Sequence, residues 1–416
     1  MAYDYIVNIH KLMNANKTFT DKEMDDLLSS VESTIKEYLV NHVINMMYND
    51  FDRNLTNYIY DLHIGFLEPL FDGESRFLLE YKLLHIIRCV KHNMYINYIP
   101  IRSYPDSFIR KLTPNYFNLE NKIYTLQNIE QPVQRTEEWY KFRHNLLTAS
   151  SIWKVFGSQS MQNQLIYEKC KPYTQYNNVS MDSPMHWGQK YEPISTQLYE
   201  QMYNTKVADF GCIRHPKYSF IGASPDGITI HMNNSRYARM LEIKNIVNRV
   251  INGIPKMEYW IQMQIQMETC NLNECDFLET KFVEYDNEDA FNEDGTFTHA
   301  TDNSPKGIMI LFSKDNNFHY EYPPITICRE KYNEWEESIL SKNKDLIWIS
   351  NIYWKLEKMS NVLVLRNKHW FEAALPEIEN LWKTIIRERV TGYEHREPKK
   401  RKAPALLFGN KCLVKL

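Results

Sequence analysis

The sequence predicts a mixed α/β chain: a helical N-terminal domain, an α/β core, and a short helical extension toward the C-terminus. Three observations carry this. Apolar residues recur at helical spacing through roughly the first 130 residues. From about 135 to 335 the texture turns to short β-type runs, turns and dense Trp, Tyr, His, Gln and acidic residues. Two amphipathic runs follow, near 329–347 and 368–391. At about 150 residues per domain, a chain of 416 residues accommodates two or three such units.

Composition removes several classes. With 43% hydrophobic and 24% charged residues the chain is neither largely disordered nor fibrous. A formal charge of −3 gives no global basic field, although a local patch can still bind phosphate. Seven cysteines without a Cys-x-x-Cys pair suit reduced thiols in a cytosolic or nuclear setting, not a disulfide framework or zinc ribbon. The opening Met-Ala-Tyr-Asp-Tyr lacks the basic and apolar parts of a secretory signal, and no apolar run is long enough for a membrane span. The chain therefore reads as not secreted and without a membrane partner.

Taken in order, residues 1–130 form the helical N-terminal domain. Thr20-Asp21-Lys22-Glu23 has the capping-box form, and Met24, Leu27, Leu28, Val31, Ile35, Leu39, Val43 and Met47 continue it as one apolar face. Two more helices are expected around 54–68 and 75–93, the second with Phe77, Leu78, Leu79, Leu83, Leu84, Ile86 and Ile87 as its core stripe. Pro100, Pro105, Pro114 and Pro132 break 95–134 into a connector with short pieces of structure. The core is expected over 131–350, a helical extension over 351–393 and a basic tail over 394–416.

The chemistry concentrates between Phe220 and Asn245. Ser224-Pro225-Asp226-Gly227 is a turn or bulge beside an alternating Ile228-Thr229-Ile230 strand, and Met240-Leu241-Glu242-Ile243-Lys244 follows after a turn. In a strand Leu241 and Ile243 share one face and Glu242 and Lys244 the other. If the two strands pair as a hairpin, Asp226 lies beside Glu242. Two carboxylates and an ammonium around one point suit metal-assisted phosphodiester hydrolysis. A lone Glu-x-Lys on a surface hairpin looks the same, so the neighbours matter. Upstream, His186-Trp187-Gly188-Gln189-Lys190-Tyr191-Glu192 leads into a helix from which Glu192 can reach the same metal. Downstream, Gln262, Gln264 and Gln266 lie on a helix, where one can bond a metal water or the scissile strand and the others form a polar face. Arg135, Trp139, Tyr140 and Arg143 precede Leu147-Thr148-Ala149-Ser150-Ser151, and hydroxyls at a helix start beside an arginine make a phosphate site.

The order Trp-Tyr-x2-Arg, Thr-Ala-Ser, Gly-x3-Glu, Ser-Pro-Asp-Gly, Leu-Glu-Ile-Lys and Gln-x-Gln-x2-Met resembles the lambda-exonuclease, or YqaJ-type viral recombinase, branch of the PD-(D/E)xK nucleases, over about residues 135–335. The resemblance implies a restriction-endonuclease-like core with a central mixed sheet flanked by helices. It implies Asp226 and Glu242 as metal-binding carboxylates for Mg²⁺, with Mn²⁺ accepted, and the main-chain carbonyl of Ile243 and the Glu192 carboxylate as further ligands. Lys244 would be the catalytic lysine and Gln264 the glutamine that closes the site, with Gln262 as the alternative. Arg143, Ser150 and Thr148 would grip a 5′-phosphate.

The implied activity is a Mg²⁺-dependent 5′→3′ exonuclease on double-stranded DNA, preferring 5′-phosphorylated ends, in viral recombination, repair or genome processing. A structure-specific or nicking endonuclease on the same core is the alternative, and a non-catalytic DNA-end-binding protein a third. A single-strand annealing or binding protein is the implied partner, and an oligomer is compatible with the family. The N-terminal extension and the Asn/Tyr/Ile/Lys-rich composition are similar to versions from large eukaryotic DNA viruses. The Lys399-Lys400-Arg401-Lys402 run reads as a nuclear-import signal, a DNA-touching tail or a solvated charge run, which leaves host nucleus and cytoplasm both open.

Overall fold

The computed structural model describes residues 20–68, 76–97, 99–108, 115–133, 136–172, 183–315 and 317–398. Its first helix, α1 (Asp21–His42), starts on the expected capping box. The Glu23 amide donates to Thr20 Oγ1, and the Thr20 amide donates to Glu23 Oε2 at 2.7 Å. Met24, Leu27, Val31, Ile35 and Leu39 form its buried stripe.

The next helices, α2 (Phe51–Leu67) and α3 (Arg76–Asn97), fall where expected. The stripe of α3 is narrower than its apolar content suggests. Leu79, Leu83, Ile86 and Ile87 are buried, but Phe77, Leu78 and Leu84 are exposed. At 100° per residue, 77 and 84 fall on the far side of the helix from 79, 83 and 86. The Pro-broken connector holds β1 (Tyr104–Pro105) and a full 13-residue helix, α4 (Tyr116–Asn128). Asn115 caps α4 by accepting from the Asn118 amide at 3.1 Å.

Beyond it come α5 (Glu137–His144), β2 (Leu147–Thr148), the single turn α6 (Ala149–Ile152), α7 (Gln159–Cys170) and α8 (Pro184–Tyr203). Then follow β3 (Val207–Ala208), β4 (Ile213–Arg214), β5 (Ile221–Ala223), β6 (Gly227–Thr229), β7 (Met240–Asn245) and α9 (Met257–Cys270). The last part holds β8 (Glu274–Glu284), α10 (Glu288–Glu293), β9 (Lys306–Lys314), β10 (Asn317–Glu321), α11 (Arg329–Lys342), β11 (Ile347–Leu365) and α12 (Lys368–Thr391).

The main sheet runs β10-β9-β11-β8-β7-β6-β3, with β1 added to β11. The β7–β8 pair is parallel and its other pairs are antiparallel, so the sheet is mixed, as expected. A small second sheet orders β2-β5-β4. One hydrophobic core joins α1, α2 and α3 to α9, α12 and the strands: Val31, Ile35 and Leu55 belong to the same cluster as Trp260, Met263, Phe277 and Trp370. The N-terminal helices are thus packed onto the α/β core and do not bury their apolar faces alone.

The expected boundary at 350 is corrected by β11. This 19-residue strand pairs with both β8 and β9, at Trp354–Leu365 and Ile347–Lys355. It lies inside the sheet, so the stretch read as a helical extension begins with core strand. Among the described residues no helix is long and apolar enough to cross a membrane.

A buried ion network fixes β8 against its neighbours. Asp276, fully buried, accepts from Tyr199 Oη at 2.6 Å and Arg239 Nη1 at 3.0 Å, and pairs with Arg236. Arg236 also reaches Asp106 at 2.7 Å, tying the connector to the sheet. Asp276→Ala leaves Arg236 with Asp106 and Arg239 with Glu274 as their remaining counter-charges, strips the Tyr199 hydroxyl of its acceptor, and is expected to cost about 2–3 kcal/mol. The urea midpoint of unfolding reads this directly; a loss below about 1 kcal/mol would show that water replaces the carboxylate.

Candidate active site

Asp226 precedes β6, and the antiparallel register Gly227↔Leu241, Ile228↔Met240 carries it level with Glu242. Asp226 Oδ2 accepts from the Ile243 amide at 2.7 Å, which locks the turn onto β7. Alternation along β7 does what the sequence predicts. Leu241 and Ile243 pack with Tyr199 and Leu278, while Glu242 and Lys244 face α9.

Glu242 is fully buried. Its carboxylate pairs with Lys244 Nζ and accepts from Gln266 Nε2 at 2.7 Å. Burial, and then the neighbouring Glu242, push the Asp226 carboxyl well above the usual carboxylate range. Burial opposes the charge on Lys244, but Glu242 and Asp226 outweigh it and hold the ammonium above its ordinary value. The Lys244 ammonium also sits 5.1 Å from the Tyr259 ring centre.

A cavity of about 690 Å³ opens over this group, with Arg143, Thr148, Ser150, Glu192, Asp226 and Gln262 in its wall. Arg143 stacks on Trp139, 4.5 Å from the ring centre, and its Nη1 donates to Ser224 Oγ at 3.0 Å. Thr148 is buried, with its hydroxyl 3.0 Å from that of Ser151 and 3.4 Å from that of Ser150; Ser150 is exposed. The helix these residues open is a single four-residue turn. Glu192 stands on α8, and its charge contributes to raising Asp226.

The glutamines separate by helical phase. Gln262 and Gln266 lie on one side of α9, about 40° apart, and Gln264 lies about 200° from each. Gln262 lines the cavity and Gln266 bonds Glu242, whereas Gln264 is buried elsewhere. Its Nε2 donates to the Leu365 carbonyl at 3.0 Å, and its Oε1 accepts from the Asn367 amide at 2.7 Å. The assignment of Gln264 to the site is therefore corrected: it fastens α9 to the β11–α12 junction.

Of the residues at the site, Gln266 is one of the three candidate glutamines without a role of its own in the sequence, and Ser224 has none. Gln266 was visible as the i+4 partner of Gln262. Ser224, first residue of the Ser-Pro-Asp-Gly turn, bonds Arg143 through its hydroxyl and accepts from Gln266 Nε2 through its carbonyl at 3.3 Å.

Hard oxygen donors facing a cavity are the right chemistry for Mg²⁺ or Mn²⁺. Among the described residues, however, no three His, Cys, Asp or Glu side chains are drawn together tightly enough to enclose a metal. Asp226 and Glu242 are a paired set, and the cation beside them is the Lys244 ammonium. Cys270 and Cys275 are buried, and burial raises both thiols, the first to about 12. Arg135 and the Lys399–Lys402 run lie outside the described residues.

Residues 138–273 match the family model of the YqaJ-like viral recombinase domain. An uncharacterised protein of Acanthamoeba polyphaga mimivirus is 30% identical over 312 residues, which is 65% of this chain and 56% of that protein. The chain thus spans little more than half the length of this curated relative. Among solved structures, an alkaline exonuclease from Laribacter hongkongensis matches at a TM-score of 0.35 with 20% identity, covering 61% of this chain and 94% of the other. The same enzyme in complex with dAMP matches at 0.35 with 19% identity and the same coverage. Likenesses at that level are too slight to carry a functional argument.

The helical phase gives a direct test. Gln264→Leu strips a buried amide and carbonyl of their partners and is expected to lower stability by about 1–3 kcal/mol. Gln262→Ala, on the cavity wall, is expected to leave stability within about 0.5 kcal/mol. Thermal denaturation of the two variants separates them; the reverse order would return Gln264 to the site.

Proposed function

With a YqaJ-like viral recombinase domain over residues 138–273 as the premise, we propose that this chain is a metal-dependent deoxyribonuclease that resects the 5′ strand of duplex DNA, 5′ to 3′, in viral recombination, repair or genome processing. The observation that supports this best is the meeting of Asp226, Glu242 and Lys244 behind a cavity that Asp226 lines together with Arg143 and Ser224.

Asp226 and Glu242, with Glu192 and the Ile243 carbonyl, are the groups that would hold Mg²⁺ or Mn²⁺. Two adjacent buried carboxylates, one of them with its charged form disfavoured, form a set that a cation stabilises. When bound, the ion supplies Lewis-acid charge at the phosphate and lowers the pKa of its water. Lys244 would supply a positive charge beside the reacting phosphodiester. Gln266 keeps the Glu242 carboxylate oriented, and Gln262 offers an amide to the strand.

In the same cavity Arg143 presents a guanidinium steadied by Trp139 and Ser224. With the Thr148 and Ser150 hydroxyls it suits a terminal phosphate, which carries more charge than an internal diester. An end held there places the first internal bond at the acid pair and sets the direction of travel.

Asp226→Ala and Glu242→Ala are expected to abolish hydrolysis while leaving duplex binding intact or tighter, since each removes a negative charge near DNA. Activity above a few per cent of wild type at saturating Mg²⁺ would refute the assignment. Lys244→Ala is expected to slow turnover by about 10²-fold or more. Lys244→Arg should not restore it, because a planar fork does not replace a compact ammonium.

Direction is tested with linear duplexes labelled at either end, with or without a 5′-phosphate, beside a closed circle. Early release of the 5′ label, faster digestion of the phosphorylated duplex, loss of that advantage in Arg143→Ala and an intact circle are the expected results. Equal rates on the two duplexes, or a cut circle, would replace the exonuclease with an endonuclease.

A further inference from the structure

On the other side of α9 from the catalytic cavity lies a second cavity of about 610 Å³, where the N-terminal helices meet the core. Trp260 lines this one and Gln262 the other, two positions about 200° apart on the helix. Arg88, Lys91, His92 and Tyr95 of α3 all line it, at the i, i+3, i+4, i+7 spacing that puts them on one face.

The charges in this cavity do not balance. Its single carboxylate, Asp52, is engaged by Lys91 Nζ at 2.7 Å and by Tyr95 Oη at 2.8 Å, and Lys91 is further tied to Thr56 Oγ1 at 2.6 Å. Arg88 is exposed and has no ion pair among the described residues. Arg102 is clamped across the interface, its Nε donating to the Pro255 carbonyl at 2.7 Å and its Nη1 to the Met47 carbonyl at 2.6 Å. Its guanidinium lies 5.6 Å from the Trp260 ring centre, and its Nη2 is buried with no hydrogen-bond partner. Burial, only partly offset by the charge of Glu258, pushes Arg102 down to about 10. An under-satisfied guanidinium beside an unpaired one is a setting that an anion stabilises.

Most of the rest of the wall is aromatic and apolar, with Tyr48 39% and Ile254 50% exposed, and Asn49 and Ser103 add polar groups. Guanidinium groups and an open ring in one cavity, within the usual ligand range, define an anion that carries a flat apolar body. We propose that this cavity binds a nucleoside phosphate, with the phosphate toward Arg88 and Arg102 and the base toward Tyr48 and Ile254. A free nucleotide and the end of a single strand present the same chemistry. The inference stands apart from the hydrolytic reading, since no residue of the acid pair takes part.

The test is isothermal titration of full-length Asp226→Ala protein, which keeps both cavities and spares the probes from any hydrolysis at the acid pair. The probes are dAMP and the oligonucleotide (dT)6. At least one is expected to occupy a site whose affinity Arg88→Glu weakens 10-fold or more and Tyr48→Ala also weakens, and that is retained when Arg143→Ala removes the phosphate grip of the other cavity. Binding of dAMP identifies a free nucleotide as the ligand; binding of (dT)6 alone identifies a strand end. Because Arg88 is exposed, its replacement spares the core, and Tyr48→Ala gives an independent reading. Binding insensitive to both cavity variants, binding lost only in Arg143→Ala, or no binding of either probe would overturn the proposal.

Discussion

Glu242 sits without solvent exposure on β7, in the one parallel pairing of the main sheet. An isolated carboxylate in that position would cost several kcal/mol, and the surrounding structure is organised to offset this. Lys244 brings a cation from two residues along the same strand face, and Gln266 brings an amide donor from α9. Asp226 adds a second negative charge at the same place, but it is anchored by the Ile243 amide from the neighbouring strand position. A one-residue slip of β7 would turn Glu242 into the aliphatic layer around Tyr199 and Leu278. The register that fills the core is therefore the register that assembles the acid pair.

Helix α9 connects this arrangement to everything else. Ten of its fourteen residues are buried, so every face of it meets protein. Gln262 lines the cavity beside Asp226 and Gln266 bonds Glu242, Gln264 holds the β11–α12 junction, and Trp260 forms a wall of the N-terminal cavity against Arg102. A helix engaged on three sides cannot shift toward one without strain at the others, because packed interiors do not deform smoothly. The N-terminal helices share their core with this helix, so they bear on its position as well as covering it.

What was legible in the sequence was local. The Thr20 capping box, the α1 stripe from Met24 to Leu39 and the alternation of Leu241, Glu242, Ile243 and Lys244 each depend on residues a few positions apart and take the expected form, whereas Val43 and Met47 fall on a 3-10 segment beyond the end of α1. Asp226 opposite Glu242 needed only a hairpin. What escaped was set by distant partners. Ile347–Leu365 carries the β-branched and aromatic residues of a strand, but its place in the sheet is set by β8, β9 and Tyr104, none of them adjacent in the chain. α4 was hidden by the prolines around it, although Asn115 is a good N-cap. Gln264 was misassigned because the motif was read as a string, when the 3.6-residue period already opposes it to Gln262 and Gln266. Phe77 and Leu84 were placed in the core for the same reason: composition was counted where phase decides.

The turn that carries Asp226 also carries the contact with Arg143 across the cavity lining. Ser224 Oγ accepts from Arg143, and the Ser224 carbonyl accepts from Gln266, the donor that orients Glu242. Two residues later Asp226 is fixed to β7 by the Ile243 amide. Within three residues, then, one turn spaces a guanidinium, a carboxylate and, through Gln266, a second carboxylate. Pro225 narrows the backbone freedom between them, and Gly227 lets the following strand approach Val207, whose Cγ1 would lie 2.1 Å from a Cβ at that position. Covalent geometry thus fixes the spacing from Ser224 to Asp226, while Arg143 and Glu242 are joined to that turn by the hydrogen bonds of Ser224 and Gln266 and by one strand register.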